Sequence, residues 1–239
     1  MKFSIDDNTT LPEDYVRNIK KEYSGVFYER FIKGLWVLAE GIIYPMYAQA
    51  IEPTPTDQPS DYRLSIDYGT MNAFAALLWE KHGNVWYAAR EYYYSGRETG
   101  VTKTDQDYAN DLKVFIKEIM EERQQAVKTG MAEYMRKMKV IIDPSAASFK
   151  VAVQRAGFRV KDADNEVNDG IRVTAMMMSK GKLKINRSCQ NLIDELRGYV
   201  WDETAARRGE EKPVKIRDHG CDALRYQIKT IIPKWRLTA

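Results

Sequence analysis

Cysteine and histidine are both scarce in this chain of 239 residues. The two cysteines, Cys189 and Cys221, are too few for a disulfide framework, and their positions do not match the spacing of zinc ligands. With only two histidines, His82 and His219, a histidine-rich metal site is excluded. So little cysteine is typical of a protein in a reducing compartment, and we expect the cytoplasm.

Long apolar runs are missing as well. No segment approaches the ~18 consecutive apolar residues of a membrane-spanning helix, and residues 1–7 lack the apolar region of a signal peptide. The 44% of hydrophobic residues nevertheless support a substantial core, in one large domain or in a domain with an appendage. A net charge of only +3 excludes a polycation.

Basic residues concentrate in two short segments, at residues 180–187 and 207–217. Such clusters are usually solvated faces of a protein. Close to a site built of carboxylates, they become candidates for phosphate contacts, which hold DNA without reading its sequence. The candidates for DNA binding are Lys180, Lys182, Lys184, Arg207, Arg208, Lys212 and Lys215.

The first 60 residues differ in pattern from the rest. Pro12 followed by two acidic residues predicts the start of a helix running toward Lys21, and a second short helix is expected at 28–33. Three prolines between residues 53 and 59 mark a boundary. We therefore expect residues 1–60 to be a linker or extension that packs on another body, and residues 61–239 to form the main domain.

From residue 61 onward, strands and helices alternate in the predicted pattern. The first three strands are expected at 63–67, 73–80 and 85–94, with a hairpin turn at 81–84. The elements expected after them are helices at 105–125, 145–156, 169–178, 189–200 and 218–232, and strands at 140–142, 158–160 and 182–185. Three antiparallel strands followed by parallel strands and helices indicate an α/β protein with a ribonuclease H-like mixed sheet. In that topology the first and fourth strands are parallel neighbours.

Three aspartates stand at the ends of predicted elements. Asp67 ends the first strand, Asp143 follows the apolar run 140–142, and Asp222 lies near the start of the closing helix. The carboxyl ends of strands are where α/β folds form ligand crevices. Three carboxylates meeting there would make an oxygen-rich site suited to Mg²⁺ or Mn²⁺.

Each aspartate also has a purely structural interpretation. Asp67 begins an Asp-Tyr-Gly sequence, which is favourable in a turn. Asp143 can cap the helix that follows it, and the helix dipole favours Asp222 whatever its role.

Two neighbours of Asp222 are further candidates. Asp218 is either the cap of the closing helix or an additional metal ligand. His219 lies on the same helical face as Asp222. It is either able to reach the metal, its water or the scissile phosphate, or it is a structural partner of a carboxylate.

Three motifs carry a family resemblance: Asp-Tyr-Gly at 67–69, Ile-Ile-Asp-Pro-Ser at 141–145 and Asp-His-Gly-Cys-Asp-Ala-Leu-Arg-Tyr at 218–226. They resemble the nuclease domain of large terminase subunits, the DNA-packaging motors of tailed bacteriophages. Segments 34–37 with 40–45, and 189–196 with 199–202, resemble the same family, the first pair being similar to the handover from the motor ATPase to the nuclease. The sequence lacks the Gly-x-x-x-x-Gly-Lys-Ser/Thr loop of that ATPase, so we expect a truncated chain of linker plus nuclease.

The resemblance implies a two-metal-ion endonuclease that cleaves double-stranded DNA with little sequence preference. Asp67 would bridge two Mg²⁺ or Mn²⁺ ions, with Asp143 and Asp222 each holding one. Such an enzyme cuts concatemeric viral DNA during genome packaging in the host cytoplasm. The partners it implies are a portal protein and a small terminase subunit.

Two alternatives remain open at this point. The chain could be a non-catalytic module that docks on DNA or on a portal and keeps only a relic of the site. It could also be another ribonuclease H-like nuclease, such as a resolvase, although the handover segment argues against that interpretation.

Overall fold

The structure is a computed structural model that describes residues 4–23, 25–35, 37, 39–70, 72–123 and 130–232. Its frame is a six-stranded sheet. In chain order the strands are β1 (Asp61–Asp67), β2 (Ala73–His82), β3 (Val85–Ser95), β4 (Lys139–Ile142), β5 (Arg159–Asp162) and β6 (Leu183–Ile185). Across the sheet the order is β5-β4-β1-β2-β3-β6.

The pairing of these strands confirms the predicted ribonuclease H-like mixed sheet. β2 runs antiparallel to both β1 and β3, whereas β4 is parallel to β1, β5 to β4 and β6 to β3. Ile66 of β1 lies opposite Ile142 of β4. The next residues in the two strands, Asp67 and Asp143, therefore leave the sheet at the same end.

Helices cover both faces of the sheet. In chain order the α-helices of the described residues are α1 (Glu13–Glu22), α2 (Gly25–Phe31), α3 (Gly96–Thr99), α4 (Asp105–Glu122), α5 (Met131–Lys137), α6 (Ala147–Arg155), α7 (Val167–Ser179), α8 (Gln190–Gly198), α9 (Glu203–Arg207) and α10 (His219–Ile231). Alternate residues of β2 point to opposite faces of the sheet, because side chains alternate along a strand. Phe74 and Leu78 pack with α4 and α6, whereas Leu77 and Trp79 pack with α7, α8 and α10.

The early part of the chain helps to close the second of these cores. Phe27, Ile43, Tyr44 and Ala50 are buried there, and the Ile43 amide donates to the carbonyl of Tyr199 at 2.9 Å. The division at residue 60 stays a prediction. Within the described ranges, no helix is long and apolar enough to span a membrane.

Three short helices were not predicted: α3, α5 and α9. No element was predicted between the helices 189–200 and 218–232. α9 forms there because Asp202 Oδ1 accepts hydrogen bonds from the amides of Thr204 and Ala205. Helices of so few residues show too little periodicity to be recognised in a sequence. Residues 124–125 of the predicted helix 105–125, and Trp36 of the handover segment, lie outside the described residues.

Candidate active site

Tyr226 of α10 lies at the centre of the three predicted aspartates. Its hydroxyl is 3.3 Å from Oδ1 of Asp67 and is close enough to Asp143 to help lower the pKa of that carboxyl, although burial and the donors Ser145 and Asn165 affect this pKa more. Burial is the main cause that raises the pKa of the Tyr226 phenol. The carboxylates of Asp67 and of Asp222, which lies one helical turn earlier on α10, raise this pKa further. The structure thus brings Asp67, Asp143 and Asp222 to one end of the sheet.

Asp67 is paired with His219, the first residue of α10. Nδ1 of the imidazole lies 2.8 Å from Oδ2 of the carboxylate. This hydrogen bond is the main reason why the pKa of His219 is raised. The pKa of Asp67 is raised too, because burial disfavours its charge and Asp222 repels it, and these two effects outweigh the bond to His219.

Both carboxylate oxygens of Asp222 are engaged by cations. Arg225 donates to Oδ1 and Lys215 to Oδ2, each at 2.8 Å. The ammonium of Lys215 also forms an ion pair with Asp218 Oδ2 at 2.9 Å, without hydrogen-bond alignment. Burial opposes the charge of Lys215, but the two carboxylates outweigh burial and raise its pKa.

Arg225 reaches Asp222 by passing close to α7. A Cβ atom at Gly170 would lie 2.7 Å from Cγ of Arg225, so the approach depends on glycine at that position. The other end of the guanidinium donates to the carbonyl of Asn165 at 2.7 Å. Arg225 is therefore a rigid support of Asp222.

Asp143 shapes the turn that follows β4. Its Oδ1 accepts from the amide and hydroxyl of Ser145 at 2.8 and 2.6 Å, and its Oδ2 accepts from Nδ2 of Asn165 at 2.8 Å. Burial raises the pKa of Asp143, but these donors outweigh burial, so that the net shift is downward. Asp143 does not cap α6, whose N-cap is Ala146.

The donor set fits a hard divalent cation in its chemistry and position, but not in its present arrangement. No group of three or more Asp, Glu, His or Cys side chains in the described part of the chain is placed to hold a metal. The carboxylate oxygens are not grouped around one point because each aspartate is held by other side chains. Asp67 is hydrogen-bonded to His219, Asp222 to Lys215 and Arg225, and Asp143 to Asn165. At Oδ2 of Asp222 a divalent ion would compete with the ammonium of Lys215. The metal-ligand roles of Asp67, Asp143, Asp218 and Asp222 stay predictions.

A cleft of about 450 Å³ opens beside this site. Of the predicted metal-site and catalytic residues, four line it, namely Asp67, Asp218, His219 and Asp222, whereas Asp143 does not. Two arginines also line it, Arg97 of α3 and Arg217. Sequence reasoning missed Arg97. The signal was topological, because Arg97 follows the end of β3, and β3 ends on the same side of the sheet as β1.

The structure does not bring the first basic cluster to the carboxylates. Lys184 pairs with Tyr87 at the start of β3, at the level of the first residues of β1. That level is the level of Tyr62, and five residues along β1 separate it from Asp67, which is about 17 Å. Lys184 is ion-paired there with Glu52 at 2.7 Å, and Lys180 and Lys182 belong to the same exposed segment.

The second cluster is divided between the surface and the cleft. Arg207 and Arg208 are exposed at the end of α9, and Lys212 forms an ion pair with Glu210 at 2.6 Å. Of the seven basic residues predicted to bind DNA, Lys215 lines the cleft. The DNA-binding role of all seven stays a prediction.

Comparison with known proteins finds one curated relative and several solved structures. The large terminase subunit of Escherichia phage T5 is 32% identical over 127 residues, which is 47% of this chain and 29% of that protein. No model of a known protein family matches the chain.

The large terminase of the thermophilic bacteriophage D6E, solved in complex with ATP-γ-S, is 42% identical to this chain. The match covers 97% of this chain and 55% of that one, with a TM-score of 0.84. This chain therefore spans about half the length of the D6E protein.

Two more distant structures share the fold. The nuclease domain of the P22 large terminase is 20% identical, with 81% of this chain and 93% of that one covered and a TM-score of 0.59. The large terminase nuclease of the thermophilic phage G20c, solved with bound cobalt, is 16% identical, with 78% and 96% covered and a TM-score of 0.53.

Proposed function

We propose, from the relationship of this chain to the large terminase subunits of bacteriophages, that it is the nuclease part of such a subunit and hydrolyses phosphodiester bonds of double-stranded DNA. The observation that supports this most directly is the position of Asp67 and Asp143 at the ends of parallel neighbouring strands. Asp222 and His219 come to the same end on α10, and His219 contacts Asp67.

Hydrolysis at this site would depend on divalent ions, Mg²⁺ or Mn²⁺. Related nuclease structures from phage G20c were solved with bound magnesium and with bound cobalt. In this chain two ions would be held by Asp67, Asp143 and Asp222, with Asp67 as a ligand of both. Asp218 would be an additional ligand. When bound, such ions lower the pKa of an attacking water and neutralise charge on the leaving oxygen.

The side chains around the carboxylates have supporting roles in this proposal. The hydroxyl of Tyr226 orients the carboxylate of Asp67 through the bond to Oδ1. Arg97 and Arg217 line the same cleft as Asp67 and can donate hydrogen bonds to DNA phosphates there. Contacts of this kind address the backbone, so cleavage should show little preference for sequence.

The biological role that follows is cutting of concatemeric viral DNA during genome packaging in the host cytoplasm. A large terminase subunit acts beside a portal protein and a small terminase subunit, and we propose both as partners. A resolvase-like nuclease is the weaker alternative, because the similarity to a large terminase extends over 97% of this chain.

The experiment that tests the proposal is cleavage of supercoiled plasmid with Mn²⁺, with Mg²⁺ and with EDTA. Nicking and linearisation are expected only with metal, and are expected to disappear in Asp67→Ala, Asp143→Ala and Asp222→Ala. Asp61→Ala is the matched control, because Asp61 begins the strand that Asp67 ends. Cutting retained in all three site variants would overturn the assignment.

A non-catalytic docking module is the second candidate. It is favoured by one observation, the engagement of Asp222 by Lys215 and Arg225 instead of an open arrangement of carboxylates. Binding of the plasmid without cutting under every metal condition would support this module over the enzyme.

A further inference from the structure

The first turn of α10 is capped by a side chain from another helix. Glu195 of α8 accepts hydrogen bonds at Oε2 from the amides of Gly220 and Cys221, at 2.6 and 3.1 Å. The first amides of a helix have no partner within the helix, so a buried carboxylate in this position satisfies two of them. Glu195 is only 4% exposed.

This arrangement leaves Asp218 free of the role expected from its position. Asp218 is the N-cap residue of α10, a position whose side chain normally accepts from the first turn. Its side chain makes no such bond. The carboxylate lies beside Lys215 instead, on the cleft. Glu195 thus takes over the capping of α10, and Asp218 stays available to the site.

Glu195 is itself anchored to the sheet. Its Oε1 accepts a hydrogen bond from the hydroxyl of Tyr93 at 2.8 Å. Ala75 of β2 pairs with Asp67 on one side and with Tyr93 on the other. Directly paired residues point to the same face of a sheet, so Asp67 and Tyr93 stand in one row, about 10 Å apart.

The start of α10 is therefore held at two points by one row of the sheet. Asp67 holds the imidazole of His219, and Tyr93, through Glu195, holds the backbone of the next two residues. Gly220 makes the second contact possible, because a Cβ atom there would lie 2.9 Å from Oε2 of Glu195.

We propose that Glu195 is a positioning residue of this site, which fixes the first turn of α10 so that His219 and Asp222 stand in register with Asp67. The inference rests on the proposed nuclease function for its consequence, but its geometric content can be tested without DNA or metal. Tyr93 is part of the same arrangement, since its hydroxyl orients the carboxylate of Glu195.

Glu91 offers a matched control in the same molecule. Glu91 caps α8 in a similar way, accepting from the amides of Asn191 and Leu192 at 2.7 and 3.0 Å. It is a half-buried carboxylate whose pKa is raised by burial. Its contacts are to the first turn of α8, the helix that carries Glu195. Glu91→Ala therefore removes a cap of the same kind but keeps the Glu195 carboxylate that bonds to α10.

The experiment compares the unchanged protein with Glu195→Ala, Glu195→Gln and Glu91→Ala in three measurements. The first is thermal unfolding. The second is Mn²⁺ binding without DNA, from the EPR signal of free Mn²⁺. The third is the imidazole NMR spectrum of the metal-free protein, which is simple because the chain has two histidines.

Both alanine variants are expected to unfold at lower temperature, since each exposes uncapped amides. Only Glu195→Ala is expected to shift the His219 signal and to weaken Mn²⁺ binding, by about tenfold or more. Glu195→Gln keeps an acceptor oxygen, so its His219 signal and its Mn²⁺ affinity should lie close to those of the unchanged protein. If Glu195→Ala does not fold, Tyr93→Phe, which removes one hydroxyl, should shift the same signal by less.

Two results would overturn the proposal. One is an unchanged His219 signal in Glu195→Ala. The other is a loss of Mn²⁺ affinity that follows the loss of stability equally in Glu195→Ala and Glu91→Ala, as for a merely structural cap. If the unchanged protein neither binds Mn²⁺ nor cuts DNA, the proposed function fails, while the His219 signal still decides whether Glu195 positions α10.

Discussion

His219 and Asp67 are hydrogen-bonded at 2.8 Å although 152 positions separate them in the chain. The contact joins the end of the central strand β1 to the first residue of α10. It gives the imidazole an anionic acceptor, and it takes up one oxygen of a carboxylate that we propose as a shared metal ligand. The charge state of His219 is therefore coupled to the availability of Asp67.

The first expected outcome concerns the pKa of His219. The bond to Asp67 raises this pKa above its ordinary value of 6.5. Asp67→Asn removes the negative charge and should lower it. NMR titration of the imidazole signals measures this directly, with His82 as an internal control. An unchanged His219 pKa in Asp67→Asn would contradict the pairing.

The same shift has a consequence for stability. Because the folded pKa is the higher one, protonation of His219 contributes stability that is fully present below pH 6.5. That contribution is lost as the pH rises through the folded pKa. The difference in unfolding free energy between the unchanged protein and His219→Gln should therefore be larger at pH 5.5 than at pH 9, as measured by urea unfolding. The opposite order would show that burial, not the bond, dominates.

A second outcome concerns Lys215 as an internal competitor for metal. Its ammonium lies between Asp218 and Asp222, where it offsets the charge that would attract a divalent ion. Lys215→Ala should therefore bind Mn²⁺ several-fold more tightly in the absence of DNA, measured by EPR. Lys212→Ala is the control, because Lys212 pairs with Glu210. Weaker Mn²⁺ binding in Lys215→Ala would mean that the lysine supports the ligand arrangement instead.

A third outcome tests the support of Asp222 by Arg225. Gly170→Ala would place a methyl group 2.7 Å from Cγ of Arg225. We expect a loss of about 1–3 kcal/mol in unfolding free energy, together with reduced cleavage. Gly198→Ala is the matched control, since no atom lies within 4 Å of a Cβ there. Equal stability of the two variants in urea would show that α7 can move aside.

A fourth outcome separates the two ends of the sheet in DNA binding. Arg97 lines the cleft, whereas Lys184 lies at the opposite end of the sheet and pairs with Glu52. Arg97→Glu should weaken DNA binding and reduce its salt dependence by about one unit of slope. Lys184→Glu should change the DNA affinity and its salt dependence less than Arg97→Glu does, as measured by fluorescence anisotropy over a salt series. A larger effect at Lys184 would place the duplex away from the proposed site.

Much of the frame was accessible from local patterns. The strands predicted at 73–80 and 85–94 with a hairpin turn at 81–84, and the wholly apolar run 140–142, match β2, β3 and β4 to within a few residues. The strand order then required Asp67 and Asp143 to leave the sheet together, and the structure has that order. The short helix α9 escaped prediction because its start depends on the side chain of Asp202 and not on an apolar period.

Contacts between remote segments were not accessible in this way. Glu195 lies within the predicted helix 189–200, and no pattern in the neighbouring residues indicates that its side chain caps a different helix. Arg97 was missed for a similar reason, and Lys180, Lys182 and Lys184 were grouped by their spacing although the pairing of β6 carries them away from the carboxylates.

Residue types and their periods determined which groups this protein can use: carboxylates at strand ends, two histidines, and basic residues for phosphates. The tertiary structure decided which of them meet. The row of β1, β2 and β3 and the packing of α10 across it put His219 on Asp67 and Glu195 on the backbone of Gly220. Strand register and helix packing arise from the burial of whole faces, and no single segment of the sequence contains that information.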